Sequence, residues 1–498
     1  MSQTQATDQL EVRFRRLAAI NGAADILNWD AATMLPKKSG DVRGEQLAAL
    51  SEVTHELLTN PALRDLLQQA HSETLEPWRT ANLREMQHRY DHANALPQQL
   101  VAAITRQRIT SEHSWREARR TANYKSFLPE FKKMLQLTRE EAAAKSTALN
   151  LSAYDAMLDG FDPGMRRTVI DPIFATLKTW LPDFVNQVIE HQKKKPALPL
   201  NATVPEAQQK TLGLAMMQRL GFDMSQGRID SSTHPFCGGV PGDVRITTRY
   251  NPEKFVNSLY GVMHETGHAL YEQGLPTEWR GLPVGHARGM SVHESQSLFV
   301  EMQLGRSAPF LRFLAPQLAQ HFCVSGPAWS PENLQRALTK VSRSFIRVDA
   351  DEVTYPLHVI LRYELEQALL TDDLKAEDLP GAWAENMQHH LGVTPPDDAQ
   401  GCLQDIHWPE GMLGYFPTYT LGAMLAAQLM ASVRKAIPDL DAQLERGEFT
   451  NIIQWLNKHL HAQASLYPTP ELITKATDEP LNPVHYEAHL KARYLGQA

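Results

Sequence analysis

The sequence predicts a mainly α-helical fold with one small β-sheet. Apolar residues recur at helical intervals over most of the chain, and one segment, "DVRITTRY" (243–250), alternates with a period of two instead. We find no internal repeat and no low-complexity tract in the 498 residues. No linker argues for a division, so we predict a single domain over residues 1–498.

The helices are indicated by apolar spacing and by proline positions. Residues 10–28 and 125–150 carry apolar side chains at helix-like intervals. The stretch 165–192 has the same pattern but is interrupted by Pro172 and Pro182. Because proline suits a first helical turn and not an interior, we expect each of these two prolines to begin a helix. The segment "KKKPALPLNATVP" (193–205) is interpreted as a connection between helices.

The strand is predicted at residues 243–250, after the loop "FCGGVPG". Val244 and Ile246 fall on one face of this strand, and Arg245 falls on the other. Such a strand could hold an extended peptide by pairing along its free edge. The predicted sheet lies immediately before the most informative motif of the chain.

Composition excludes several classes of protein. The net charge of −8 argues against nucleic-acid binding, which calls for a basic surface. There is no run of 18 apolar residues and no signal peptide at the N-terminus, so we expect a cytoplasmic protein without membrane contact. Three cysteines without C-x-x-C spacing provide neither a disulfide framework nor a thiolate metal site.

The motif "MHETGHAL" (263–270) has the spacing of a metal site. Asn251 and Pro252 predict the start of its helix, and Gly274 predicts the end. His264 and His268 are four residues apart and therefore project from one helix face. Two such imidazoles can both reach one zinc ion at about 2.0–2.1 Å. Glu265 lies next to the first histidine and can reach a water on the metal without being a ligand.

A catalytic zinc needs a third protein ligand and an open position. The best candidate is Glu294 in "SVHESQSLFVEMQLG" (291–305), with Glu301 as the weaker substitute. The competing interpretation makes Ser291 and Glu294 a capping box of a helix that Gly305 ends. A surface cluster of polar residues and a structural zinc site are further alternatives. A structural site is disfavoured because such sites close with four protein ligands, often cysteines.

Several motifs together resemble those of the M32 family of metallocarboxypeptidases, the thermostable carboxypeptidase Taq type. In chain order they are "NWDAATMLP" (28–36), "RGEQLAALS" (43–51), "HPF" (234–236), "DVRIT" (243–247), "HETGH" (264–268), "HESQS" (293–297), "IRVDAD" (346–351), "GCLQDIHW" (401–408) and "GYFPTYTLG" (414–422). The resemblance runs from about residue 10 to the C-terminus. One departure is Leu298, where the family pattern leads us to expect an arginine.

The resemblance implies a large helical, gluzincin-like fold in which two helical lobes flank a deep substrate groove. The small β-sheet would lie beside the zinc helix. It implies a homodimer that releases single amino acids from the C-termini of peptides, with broad specificity and poor cleavage at proline. The implied cofactor is Zn²⁺, with Co²⁺ as the alternative. By resemblance His264, His268 and Glu294 bind the metal, and Glu265 is the catalytic base.

A carboxypeptidase must also bind the free carboxylate of its substrate, for which a guanidinium fork is best suited. Arg347 is the first candidate and Arg245 the second. Arg347 and Asp351 are also spaced as an ordinary helical ion pair. Asp243 is interpreted as a turn residue that orients Arg245.

Other polar residues are candidates for substrate contacts. A donor should face the oxyanion of the reaction intermediate, and Tyr415, Tyr419 and His407 are the candidates for it. Each tyrosine could instead be part of a packed aromatic corner. Gln404 and Asp405 either contact the substrate or support His407.

Two further functions remain open at this stage. A peptidyl-dipeptidase or oligoendopeptidase would use the same zinc helix, and the distance of the arginine from the metal would distinguish it. A non-catalytic peptide-binding protein would have no use for Glu265.

Overall fold

The computed structural model describes residues 5–36 and 38–497, and it confirms the mainly helical fold. The helices of these residues are α1 (Ala6–Thr33), α2 (Gly40–Leu58), α3 (Pro61–Ala70), α4 (Pro77–Asn94), α5 (Gln98–Arg120), α6 (Tyr124–Leu149), α7 (Ala153–Leu158), α8 (Arg167–Lys193), α9 (Glu206–Leu220), α10 (Phe255–Gln273), α11 (Met290–Leu298), α12 (Ala308–Phe322), α13 (Pro331–Leu338), α14 (Tyr355–Thr371), α15 (Leu379–Leu391), α16 (Pro417–Ala436), α17 (Leu440–Arg446), α18 (Thr450–His459), α19 (Thr469–Thr477) and α20 (Pro483–Leu495). The helices predicted at 10–28 and 125–150 correspond to α1 and α6. The segment after residue 193 connects α8 to α9, as expected.

The small sheet has three strands, which are β1 (Gly227–Ser231), β2 (Cys237–Val240) and β3 (Asp243–Thr248). The predicted strand is confirmed as β3, although it ends two residues earlier. β3 pairs in parallel with β1 and antiparallel with β2, so it is the central strand. The expectation that its edge could hold a peptide is therefore wrong, because both edges are already paired.

Two prolines that were expected to begin helices lie inside α8 instead. Proline removes one backbone hydrogen bond and crowds the carbonyl four residues before it. Those carbonyls belong to Thr168 and Lys178, which are both exposed, as is Pro172. The freed carbonyls can bond to water, so α8 continues through both positions.

The main hydrophobic core surrounds α16, whose buried side chains occupy its whole circumference. α16 packs closely against α11, and α11 packs against α10. β3 packs against the other side of α10 and buries Ile246 completely. A second, smaller cluster of apolar side chains lies among α1, α3 and α4. The HETGH helix therefore lies between the sheet and the most buried part of the protein.

The C-terminal helix α20 is fastened to the loop before α14 by one buried carboxylate. Glu352 accepts hydrogen bonds from His489 Nε2 (2.7 Å), Arg493 Nη1 (2.9 Å) and the Tyr494 hydroxyl (3.0 Å). The Tyr486 hydroxyl also donates to the carbonyl of Glu352. Burial alone would raise the pKa of Glu352, but the charges of Arg493 and His489 outweigh it and hold this pKa well below its usual range.

No helix in the described part of the chain is both long and apolar enough to cross a bilayer. That residues 1–498 form a single domain with two helical lobes stays a prediction.

Candidate metal centre and active site

Helix α10 carries the HETGH motif and ends at Gly274, as predicted. It begins at Phe255, three residues later than Pro252. The Asn251 side chain accepts the backbone N–H of Glu253 and so caps the turn before the helix. His264 and His268 lie on one face of α10, with ring centroids 5.0 Å apart.

Two glycines allow three helices to meet at this face. A Cβ atom on Gly267 of α10 would lie 2.3 Å from the carbonyl oxygen of Gln296 and 2.6 Å from Cα of Ser297, both on α11. A Cβ atom on Gly422 of α16 would lie 2.8 Å from Cβ of Glu294. Since real Cβ atoms do not approach other heavy atoms so closely, both positions require glycine. α11 is thus held between α10 and α16, and its position fixes Glu294.

Three potential metal ligands converge between α10 and α11. Oε2 of Glu294 lies 3.4 Å from Nε2 of His268 and 3.9 Å from Nε2 of His264. The three ligand atoms all lie within 4.8 Å of one another. The capping-box interpretation is wrong, because α11 begins at Met290 and Ser291 is already inside it.

The outer nitrogen of each histidine is occupied. His264 Nδ1 donates to Oε2 of Glu301 (3.0 Å), whose other oxygen accepts from Arg306 (2.7 Å). His268 Nδ1 donates to the carbonyl oxygen of His293 (3.0 Å). Because each Nδ1 bonds to an acceptor, the Nε2 atom of each ring is the nitrogen that faces Glu294 and is left for a metal.

Glu301 therefore does not take the place of Glu294 but lies behind His264. It belongs to a short π-helix, Phe299–Leu304, that continues α11. This segment ends at Gly305, where the sequence predicts the end of the helix. Glu301 follows Glu294 by seven positions, about two helical turns, so both face α10.

The charges of this cluster call for a cation. Burial alone would lower the pKa of His264, but Glu294, Glu301 and Glu265 together raise it to about 10. Burial lowers the pKa of His268 to about 4. Two imidazole Nε2 atoms and one carboxylate, amid further negative charge, fit the donor set of a divalent metal ion, whose binding would replace the proton of His264.

Glu265 is free to act on a substrate or a water molecule. Its carboxylate makes no hydrogen bond to any residue of the described ranges 5–36 and 38–497. Burial, followed by the charge of Glu294, raises its pKa to about 7. Such a group can accept and release a proton near neutral pH.

Arg347 belongs to a buried ion cluster. Its Nε and Nη2 donate to Oδ1 of Asp405 (3.0 and 2.9 Å), and its Nη1 donates to the Tyr355 hydroxyl (3.1 Å). Arg362 holds the other oxygen of Asp405 (2.7 Å). Arg347 and Asp351 do not form a helical ion pair, because Asp351 accepts backbone N–H groups instead.

Gln404 and His407 support different partners. The side-chain oxygen of Gln404 accepts the backbone N–H of Arg347 (2.8 Å), and its nitrogen donates to backbone carbonyls. Gln404 and Asp405 therefore position Arg347 rather than His407. His407 Nε2 lies 3.2 Å from the Tyr419 hydroxyl, and burial lowers the pKa of His407 to about 3.

The tyrosines connect the Arg347 cluster to the histidine cluster. The Arg347 guanidinium lies 4.7 Å from the ring centre of Tyr419, and Tyr415 packs against Tyr419 with ring centres 5.2 Å apart. Burial, followed by charge effects that include that of Glu294, raises the pKa values of Tyr355, Tyr415 and Tyr419. These three phenols are thus within electrostatic reach of the potential metal ligands.

Arg245 lies apart from this group. Its guanidinium pairs with Asp243 and rests 5.9 Å from the ring centre of Trp29. Within the described residues it makes no contact with Arg347 or Asp405. Asp243 is therefore the partner that holds Arg245.

Sequence reasoning missed Tyr355 and Arg362. Tyr355 lies eight residues after Arg347, and no motif spacing identifies it. Arg362 has the pattern of an ordinary helical residue in α14, and its role depends on the distant loop that carries Asp405. The position of Glu301 behind His264 could have been predicted from the sequence, because Glu301 lies about two helical turns after Glu294.

The chain is similar to known proteins over nearly its full length. The sequence model of the family described as carboxypeptidase Taq (M32) metallopeptidase matches residues 9–494. Thermostable carboxypeptidase 1 of Thermus thermophilus is 38% identical over 492 residues, which cover 96% of each chain. Thermostable carboxypeptidase 1 of Pyrococcus furiosus is 32% identical, over 99% of each chain. The structure of metallocarboxypeptidase 1 of Trypanosoma cruzi superposes with a TM-score of 0.96, at 40% identity, over 98% of this chain and 99% of that one.

Proposed function

Since this chain belongs to the M32 family and is a metallocarboxypeptidase, we propose that it releases single amino acids from the free C-termini of peptides. The resemblance inferred from the motifs is confirmed. We further propose broad tolerance for the released residue, with poor cleavage at proline. The observation that carries the proposal is the convergence of His264, His268 and Glu294, with Glu265 unbonded beside them.

His264, His268 and Glu294 would hold a divalent metal, with Zn²⁺ as our first choice and Co²⁺ as the alternative. When bound, such a cation polarises the scissile carbonyl and lowers the pKa of a nearby water toward neutrality. The outer hydrogen bonds to Glu301 and to the His293 carbonyl keep both imidazoles in the tautomer that a metal requires.

Glu265 would act as the general base and then the general acid. It takes the proton of the attacking water and passes it to the nitrogen of the leaving amino acid. We expect Glu265→Gln to keep its metal content and to lose at least about 100-fold in kcat, since general acid–base catalysis contributes that much or more. Metal analysis and turnover on one sample test this. Near-normal activity of a fully metallated variant would refute the assignment.

Arg347 is the residue that we propose for the substrate carboxylate. Arg347 and Arg362 share a single carboxylate, Asp405, so this buried cluster retains one net positive charge. A C-terminal carboxylate would neutralise it, with Tyr355 adding a hydroxyl beside Nη1. The second candidate, Arg245, already forms an ion pair with Asp243.

The oxyanion of the intermediate would be met by Tyr419, Tyr415 or His407. Burial raises the pKa of Tyr419 to about 12, so its hydroxyl remains a hydrogen-bond donor at neutral pH. His407 stays neutral and is oriented by the Tyr419 hydroxyl.

Mass spectrometry of one N-blocked peptide tests the activity. The peptide is supplied as free acid and as C-terminal amide, with and without a chelator. We expect stepwise loss of single residues from the free acid alone, abolished by the chelator. Loss of residues in pairs would assign a peptidyl-dipeptidase, and equal cleavage of the amide would remove the proposed role of Arg347.

Location in the cytoplasm and assembly as a homodimer stay predictions. Light scattering of the purified protein after size-exclusion chromatography measures the second directly.

A further inference from the structure

A cavity of about 360 Å³ lies among α1, α4 and α6, and none of its lining residues belongs to the proposed active site. Its volume falls in the range of small-molecule sites. One part of the lining is polar and basic, and the other is apolar. The polar part is made of Asn21, His88, Arg89, His92 and Lys145.

Arg89 is the unusual member of this lining. Its guanidinium has no hydrogen-bond or ion-pair partner among the residues that the structure describes. Burial, and the charge of Arg288, lower the pKa of Arg89. The carboxylate that favours its charge is that of Glu85, but Oε1 of Glu85 already accepts from Arg84 (2.9 Å) and Arg288 (2.8 Å). Three arginines thus share one carboxylate, so this group has two more positive than negative charges, and Arg89 is the arginine without an ion pair.

Two histidines of the same lining have the spacing of a metal site. Nε2 of His88 and Nε2 of His92 lie 2.7 and 3.0 Å from Oδ2 of Asp159. However, the other oxygen of Asp159 is bound by Arg166, and Arg89 lines the same cavity. A metal ion would add charge to a region that already has an excess of positive charge. An anion would reduce that excess.

The remaining lining residues suit a ligand with two unlike ends. The Asn21 side-chain oxygen accepts from Thr54 (2.9 Å), which leaves its amide N–H groups to the cavity. Lys145 is paired with Glu141 at 2.6 Å and adds little free charge. Phe14 and Leu17 supply apolar surface to the same cavity.

We propose that this cavity is a binding site for a small anion, a carboxylate or phosphate group on an apolar body. The Arg89 fork binds the charged group and Asn21 adds a donor, while the apolar body packs on Phe14 and Leu17. A protein that keeps an unpaired, half-buried arginine loses stability, and a site for an anionic ligand accounts for that cost. This proposal does not depend on the proposed peptidase mechanism.

Thermal unfolding of the metal-loaded full chain tests the site, with three probes. They are phenylacetate, its neutral analogue phenylacetamide, and inorganic phosphate. We expect phenylacetate to raise Tm and phenylacetamide to leave it unchanged. A rise with phosphate as well would identify the charged group alone as sufficient, whereas a rise with phenylacetate only would identify an organic acid.

Variants locate the binding. Because the site proposed at Arg347 also accepts a carboxylate, Arg89→Met is measured in the Arg347→Met background. There the response disappears, with a dissociation constant by calorimetry at least about 10-fold weaker, as expected for loss of a charged hydrogen-bonding group. The Tm of Arg89→Met alone without anion equals or exceeds that of the wild type, because an uncompensated charge has been removed. Arg347→Met keeps the response, which separates this cavity from the proposed carboxylate site. Arg13→Met, on an exposed part of α1, is the matched control.

Arg89→Lys keeps the charge but loses the fork, and we expect it to bind more weakly than the wild type. The proposal is overturned if no anion raises the Tm of the wild type. It is also overturned if the variants of Arg89 bind the anion as the wild type does.

Discussion

The substitution Gly422→Ala tests whether α16 sets the position of Glu294. The new Cβ atom would lie 2.8 Å from Cβ and 2.9 Å from Cγ of Glu294. Carbon atoms pack at about 3.5–4.0 Å, so the two groups must separate by roughly 0.7–1.2 Å. Metal sites tolerate deviations of only about 0.2 Å in ligand distance. We therefore expect the metal affinity to fall by at least about 10–100-fold, the loss typical of disturbing a residue that supports a ligand.

Competition with a chromophoric chelator measures this loss, and circular dichroism verifies that the helices are retained. The overpacking should also lower the free energy of unfolding by about 1–3 kcal/mol. Gly44→Ala is the matched control, because a Cβ atom on Gly44, inside α2, meets nothing within 4 Å. It should leave metal affinity unchanged. A Gly422→Ala protein with the metal affinity and activity of the wild type would refute the view that α16 fixes Glu294.

Three further substitutions test other parts of the site and fold. Glu301→Gln should weaken metal binding about 10–100-fold, since it removes the carboxylate behind His264; an unchanged dissociation constant would contradict this role. Tyr355→Phe should raise KM about 10-fold with little change in kcat, because it removes a hydroxyl beside Arg347. Steady-state kinetics measures both constants. A fall in kcat at unchanged KM would instead indicate that Tyr355 acts only in the transition state. Glu352→Gln should cost roughly 3–5 kcal/mol in denaturant unfolding at pH 7 by breaking a buried ion cluster. Since the folded-state pKa of Glu352 lies below its usual value of 4.5, that stability is present above pH 4.5 and is lost as pH falls below it. The difference in the free energy of unfolding between Glu352→Gln and the wild type should therefore become smaller in acid. A difference that does not depend on pH would contradict the view that ionised Glu352 holds this cluster together.

Features that depend on local spacing could be predicted from the sequence alone. His264 and His268 share a helix face because they are four residues apart, and Gly274 and Gly305 end their helices as predicted. Strand β3 was identifiable because its alternation is visible within six residues.

Features that depend on which side of an element faces solvent, or on distant partners, could not be predicted. Pro172 is tolerated inside α8 only because that face is exposed. The central position of β3 depends on β1, which is separated from β3 in the chain by strand β2. Arg89 has the sequence context of any surface arginine, and only the packed structure shows that Glu85 is already occupied by other arginines.

The close crossing of α10, α11 and α16 has a consequence for handling the protein. The ligands are placed by backbone contacts at Gly267 and Gly422 rather than by the ion itself. The chelated protein should therefore remain folded, and dialysis against another divalent ion should restore the site without passage through the unfolded state. A cobalt-substituted form prepared in this way would have a visible absorption band. Binding of substrates and inhibitors at the metal could then be followed by absorption spectroscopy.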